Sequence, residues 1–367
     1  MQPCPTDSKS FFEKLQTLEG LDLRDKRGKR HELAVVLTGV VLALLSHRDG
    51  SLSSMHRHLA HHYPELASAL GVKQKRPVSR SQRPLILAQV QVAVFERLLF
   101  AEYGARLKPT VKQWFALDGK ELRGSIETGA RRGEALVQVV SHTRQESLAQ
   151  DYYTGSKESE VPVARDLLAS SGVVAEKVSL DALHFKPDTL KPIAQAGGKY
   201  LVGLKENQKE LKREMEQAAA RQACLFRQAE VEKGHGRLES REYEFYDVLE
   251  LATAERWWGC QLRTLIKVKR ERLLLKSDKR SVEESFYVTN EVGNYEELCR
   301  AVRGHWAVET NNHIRDVSLR EDSLRSKKKN CNARWGVSAA WPCCCCRKPS
   351  VRTRKHSWKT LAMTLSA

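Results

Sequence analysis

Between residues 11 and 105 the apolar positions recur every three to four residues, the period of helices packed on one face, with no strict alternation. Ser10 followed by Glu13 predicts a capping box: the serine hydroxyl accepts from the third helical N–H and the carboxylate returns to the cap. A second helix is predicted from His31 to about Ser46. Its LAVVLTGVVLALL run is apolar on every side, the mark of a buried core helix. Residues 51–70 and 83–103 carry the same period and are joined by the polar, basic KQKRPVSRSQRP, so each is expected to be one helix.

From Val111 the pattern changes to short continuous apolar runs. WFALD (114–118), ALVQVVS (135–141), SLAQDYY (147–153), VVAEKVSLD (173–181) and YLVGL (200–204) read as strands, several of them apolar enough to be buried on both faces. Helical stretches at 160–170, 189–196 and 208–223 fall between them, and this alternation predicts an α/β layer. Strand signals at 241–249, 262–268 and 285–288 point to a β-rich insertion at about 225–290. A last helix is expected from Asn294, whose side chain would cap it with Glu297 at the third position, to about Asn312. The expected organisation is therefore a helical unit over 1–110, an α/β unit over 111–325 and an atypical tail over 326–367.

Composition adds two constraints. The longest apolar run has thirteen residues, short of the roughly twenty that span a bilayer, and no apolar leader with a cleavage site opens the chain. A soluble cytoplasmic protein with no membrane partner is expected. The formal net charge is +17, of which +11 lies beyond Asp322, where eleven Lys and Arg stand with no acid. A polyanion partner follows, because basic surfaces that neutralise phosphates gain from counterion release. Nine cysteines are mostly scattered, as in a reducing compartment, but Cys343 to Cys346 are contiguous. Four adjacent cysteines lack the paired spacing of a zinc ribbon and cannot all turn to one tetrahedral ion without strain.

Three carboxylates carry the candidate chemistry. Asp118 closes WFALD and Asp181 closes VVAEKVSLD, so each is expected at the C-terminal end of a buried strand, where α/β sheets present ligand groups. The alternatives are a hairpin turn at Asp118-Gly119 and a simple helix cap at Asp181. Glu309 falls on the helical stripe of Leu298, Val302 and Trp306, a core-facing place where a carboxylate must be paired, for instance with Arg303, or bind a metal. Hard oxygen donors suit Mg2+ or Mn2+, and two such ions about 4 Å apart serve phosphodiester chemistry.

At these residues the chain resembles a known family. ALDGKELRGS (116–125), VSLDALHF (178–185), YLVGLKENQKEL (200–211), HGRLESREYEF (235–245) and RGHWAVETNNHIRDVSLREDSLR (303–325) look like the DDE transposases of bacterial insertion sequences, and within them the H-repeat-associated group. The resemblance implies an RNase H-like mixed sheet with a β-rich insertion, preceded by a small helical domain. It implies Asp118, Asp181 and Glu309 as a catalytic, metal-binding triad for two Mg2+ or Mn2+ ions, cutting insertion-sequence ends and joining them to target DNA. The separations of 63 and 128 residues agree with an insertion before the final glutamate. Double-stranded DNA, a homo-oligomer assembled on it and a nucleoid-associated location follow as expectations. A metal nuclease without strand transfer and a catalytically dead DNA-binding relic are the alternatives.

Around the triad, Lys120 and Arg123 follow the first aspartate and Lys205, Asn207 and Gln208 end a later strand, so both sets are expected to hold phosphate oxygens or a displaced base. Arg303, His305, Trp306, Asn311 and His313 surround Glu309 and are expected on DNA, with Trp306 stacking on an unpaired base or packing in the core. The family has one more residue between its final glutamate and a following aspartate. Asp316 is therefore expected to be rotated about 100° from its usual place. Beyond Lys329 the Ala/Leu-rich helix of the family is replaced by a stretch that reads like translation in the wrong frame, or else like a basic arm for DNA.

Overall fold

The structure is a computed structural model that describes residues 9–46, 52–123, 126, 133–154, 157–234, 236–249 and 255–318. The tail at 326–367, with its basic run and Cys343 to Cys346, lies outside the described residues.

The first helix, α1 (Phe11–Thr17), starts on a complete capping box: Glu13 N–H donates to Ser10 Oγ at 3.2 Å and Ser10 N–H donates to the Glu13 carboxylate at 2.7 Å. Helices α2 (Leu33–Ser46), α3 (Leu52–Ala69), α4 (Gln82–Leu87) and α5 (Val92–Tyr103) follow. Val41, Leu42 and Ala43 at the centre of α2 are wholly buried, as an all-round apolar helix requires. They share one hydrophobic cluster with Phe11, Met55, Leu66 and Phe95. The single helix expected over 83–103 is two helices. The chain ahead of α2 pairs across the break: Gln91 N–H donates to the Leu21 carbonyl at 2.8 Å and Leu23 N–H donates to the Gln89 carbonyl at 2.9 Å. Those groups are thereby withdrawn from a helical ladder.

A nine-stranded mixed sheet follows, in the order β3-β2-β1-β4-β5-β9-β8-β7-β6. Its centre is parallel, with β1 (Trp114–Glu121) beside β4 (Lys177–Leu180) and β4 beside β5 (Lys199–Leu204). Strands β2 (Glu134–Ser141) and β3 (Ser147–Thr154) continue one edge antiparallel. Helices α6 (Lys157–Ser170), α7 (Pro187–Gln195) and α8 (Lys209–Arg221) are the crossovers, and α9 (Tyr295–Gly304) and α10 (Trp306–His313) follow the last strand. Phe115, Leu117, Val137 and Val139 pack with Ala164 and Leu167 of α6, whereas Ala116 and Val140 pack with Ala307 and Val308 of α10. The two helices therefore cover opposite faces of β1 and β2.

The other edge is a long antiparallel ribbon of β6 (Phe226–Gly234), β7 (Arg237–Asp247), β8 (Thr264–Leu274) and β9 (Lys279–Thr289). Towards its tip the ribbon is largely exposed, Val231, Leu274 and Val282 included, and cross-strand ion pairs such as Arg270–Glu283 and Arg280–Glu271, each at 2.5 Å, line up along it. Strand β6 carries alternating charge without an apolar face, and the hydrophobic pattern did not single it out. Among the described residues no helix is long and apolar enough to cross a membrane.

Candidate active site

Strand β1 pairs with β4 only as far as Leu117 opposite Leu180. Beyond that point the parallel pair splays, and the two aspartates flank the opening: Asp118 is the next residue of β1, and Asp181 leaves β4 in extended conformation before the turn Ala182–His184. Asp118 is not the end of its strand. β1 continues to Glu121 because β2 pairs with it throughout, Gly119 opposite Val137 and Glu121 opposite Ala135, so no hairpin turn falls at Asp118-Gly119.

Glu309 arrives from the opposite side of the cleft, on α10, and not in the way its spacing predicts. The helix turns a corner at Gly304–His305, where α9 stops and α10 starts. Leu298 and Val302 are buried before the corner; Ala307, Val308 and Asn311 are buried after it. The buried stripe thus jumps, leaving Trp306 50% exposed and Glu309 exposed. Glu309 is not a desolvated core carboxylate, and Trp306 is not packed in the core. Asn294 does not cap α9 either: it takes a left-handed φ of 50° and makes no side-chain cap bond. Glu297 instead accepts from the Trp114 indole at 2.9 Å and from Lys177 at 2.7 Å, tying α9 to the start of β1 and β4.

Asp118, Asp181 and Glu309 line one cleft together with Lys205, Tyr287, His305 and Trp306. Burial, then repulsion from Glu160 and Asp181, with a smaller contribution from Glu309, pushes the Asp118 carboxyl up to about 7. Burial also acts to raise Asp181, but the Ala182 N–H and Lys205, whose ammonium lies 3.1 Å from Asp181 Oδ1, outweigh it and hold Asp181 below the usual carboxylate range. An all-oxygen donor set with uncompensated repulsion at Asp118 fits a hard divalent cation. Among the described residues no three His, Cys, Asp or Glu stand together as a ready-made ligand set; the three carboxylates share the lining of one cleft.

Several residues expected on DNA have partners within the fold. Lys120 is buried and its ammonium lies 2.7 Å from Asp316. Asn207 donates to the Ala182 carbonyl at 2.6 Å and Gln208 to the Phe185 carbonyl at 2.9 Å, so both brace the turn after Asp181. Asn311 is fully buried and donates to the Gln145 carbonyl at 3.2 Å. His305 shares the Ser179 hydroxyl with His142, at 2.9 and 2.8 Å. Burial lowers His305 to about 4 and His142 to about 3, so the chain of two imidazoles and a hydroxyl is neutral. Arg303 pairs with Glu232 and Glu230 at the rim. Lys205, Trp306, Arg123 and His313 remain exposed. Trp306 carries the Arg270 guanidinium 6.0 Å from its ring centroid.

Sequence reasoning overlooked Arg270, Glu160, His142 and the buried Arg315, whose guanidinium donates to Gln138 and Gln150 at 3.2 Å. Glu160 and His142 stand where a Cβ on Gly119 or Gly304 would go, but a glycine in the sequence does not name the group that approaches it.

A mixed sheet with a central parallel pair that presents two aspartates, faced by a helix that presents a glutamate, is of the RNase H-like class. A synaptic complex of piggyBac transposase with hairpin DNA shares the fold at TM-score 0.51 and 10% identity, over 97% of this chain and 78% of that one. The chain belongs to the Transposase DDE domain family, whose model matches residues 109–341. It is similar to two proteins of Escherichia coli. One, from strain K12, is named "H repeat-associated putative transposase YhhI" (27% identity over 60% of each chain). The other, from O157:H7, is named "Putative transposase YncI" (25% identity over 67% of this chain and 64% of the relative). The chain thus spans less than two thirds of the length of either relative.

Proposed function

We propose that the protein is a divalent-metal-dependent transposase that cuts the DNA ends of an insertion sequence and joins them to target DNA, with Asp118, Asp181 and Glu309 holding the metal ions. The observation that carries this reading is the meeting of those three carboxylates, from β1, the end of β4 and α10, in one cleft. Two Mg2+ or Mn2+ ions bound there would supply activation of the attacking oxygen and stabilisation of the leaving oxygen. Lys205 neutralises part of the charge on Asp181 and stands exposed at the mouth, placed for a phosphate oxygen. Trp306, backed by Arg270, offers a flat face for an unpaired base beside Glu309. The neutral His142–Ser179–His305 chain adds no positive charge behind Asp181 and fixes the α9–α10 corner by directional bonds. The partner is double-stranded DNA at element ends and target, held by a homo-oligomer in the bacterial cytoplasm, with the helical unit at 1–110 serving end binding or assembly.

The test incubates the purified protein with Mg2+ or Mn2+ and a plasmid carrying the parent element's ends, beside Asp118→Ala, Asp181→Ala and Glu309→Ala. Cleavage at the ends, abolished by each substitution, supports the triad; cleavage that survives them removes it. Adding a pre-cut end with a 3′-hydroxyl and a target plasmid separates strand transfer from simple nuclease action.

A further inference from the structure

We propose that Glu160 is a positioning residue that sets the spacing of Asp118 and Asp181 from the far side of the sheet, an inference that rests on reading those two as metal-holding residues. Successive residues of a strand face opposite sides. Asp118 faces α10, because Gln138 directly opposite it on β2 donates to Asn312 of that helix at 2.5 Å. Gly119 therefore faces α6, and there it meets Glu160. A Cβ built on Gly119 would stand 2.8 Å from Glu160 Oε1 and 2.5 Å from its carboxyl carbon. The carboxylate occupies the place that any other residue's side chain would take.

Glu160 has two further contacts. The Tyr153 hydroxyl of β3 donates to Oε2 at 2.8 Å. His184 Nε2 lies 3.2 Å from Oε1, with the two side chains 1% and 8% exposed. His184 ends the turn that Asp181 begins, and its backbone N–H donates to the Asp181 carbonyl at 3.0 Å. One buried side chain thus touches the strand that carries Asp118, the turn that carries Asp181 and the strand at the sheet's edge. Burying a carboxylate is costly unless its oxygens are matched. Space-filling alone would be met by a Leu or Met on α6, whereas the carboxylate is anchored by the Tyr153 hydroxyl and from that anchor reaches both Gly119, next to Asp118, and His184, in the turn that follows Asp181. Residues that orient metal ligands from behind act in this way, and their loss typically costs 10- to 100-fold in metal affinity.

The test uses the full chain and two readouts: Mn2+ affinity by titration calorimetry, and hydrogen exchange of the Ala182–Phe185 backbone amides, two of which are bonded within the turn. Glu160→Ala and Gly119→Ala are each expected to weaken Mn2+ binding about 10-fold or more and to speed exchange at 182–185 by a similar factor, against unchanged exchange in the α2 core. Gly119→Ala removes no polar group and acts only by displacing Glu160. Glu160→Gln keeps an acceptor for Tyr153 and is expected to restore both readouts most of the way. Asp118→Asn should abolish Mn2+ binding while leaving exchange at 182–185 intact. Unchanged exchange at 182–185 in both Glu160→Ala and Gly119→Ala overturns the proposal, as does a Glu160→Gln as damaged as Glu160→Ala. If the wild-type chain takes up no Mn2+, the metal reading falls and the exchange data alone decide the role of Glu160.

Discussion

Gly304 lies so close to His142 that one added carbon would meet the imidazole: a Cβ there would stand 2.8 Å from Cγ and 2.9 Å from Cε1. His142 cannot step aside, because its Nε2 bonds Ser179 and its ring stacks on Trp114 at a 5.9 Å centroid distance. Gly304→Ala must therefore move the corner between α9 and α10, and Glu309 moves with it. Overpacking of this kind costs about 1–3 kcal/mol. The expected result is a lower urea midpoint and a loss of metal-dependent cleavage larger than the loss of DNA binding. In a double-mutant cycle with His142→Ala the pair should cost less than the sum of the single changes; additive costs would remove the contact as the cause.

Trp306 is the exposed aromatic beside Glu309, with Arg270 on its ring. If its face receives an unpaired base, Trp306→Ala should lose about 1–3 kcal/mol of affinity for DNA with a frayed or branched end and little for a fully paired duplex. Trp306→Phe should keep most of the difference. Fluorescence anisotropy with the two probes reads both. Equal losses on the two probes would mean that the ring contributes surface and not stacking.

Much of this arrangement was legible where the cause is local. Ser10 and Glu13 cap α1 because both partners lie within one turn. The apolar runs ending at Asp118 and Asp181 are the central parallel pair because burial on both faces leaves its mark in the residues themselves. What misled is non-local. Nothing near Asp118 shows that β2 will extend β1 past it, and nothing near Glu309 shows that His142, far back in the chain, packs against Gly304 where α9 ends. Lys120, Asn207, Gln208 and Asn311 read as DNA contacts because polar residues beside a candidate site look available, and their partners are set only by the fold. Strand β6 escaped notice because ion pairs hold it where apolar burial usually would.

The contact between Lys120 and Asp316 fastens the π-helical segment Ile314–Ser318, which continues α10, to the same face of β1 as Asp118. Asp316 therefore faces the sheet at Lys120. Asp316 remains 37% exposed, so water softens the loss of its partner, and Lys120→Met is expected to cost about 1–2 kcal/mol and not the larger penalty of a fully buried pair. Urea unfolding measures it. A change below experimental error would show that the segment is held by Arg315 and Asn311 without help from this pair.

Glu96 of α5 supplies a pH-dependent prediction away from the cleft. Burial raises its carboxyl to about 8, against a bond from Gln150 and the attraction of Arg315, which act to lower it, and with Asp151 adding to the rise. The folded chain thus holds a proton that the unfolded chain releases near 4.5. Between those values the native state binds more protons, so stability falls as pH rises from about 4.5 to about 8. Glu96→Gln imitates the protonated acid and removes that loss. It should unfold like the wild type below pH 4.5 and become more stable than the wild type, by a few kcal/mol, as pH passes 8, since each tenfold difference in acidity between the folded and unfolded carboxyl is worth about 1.4 kcal/mol. Chemical unfolding of both proteins across this range is the measurement. A difference independent of pH would place Glu96 in an environment that solvates its charge, and would loosen the packing of α5 on β3 that the buried carboxyl implies.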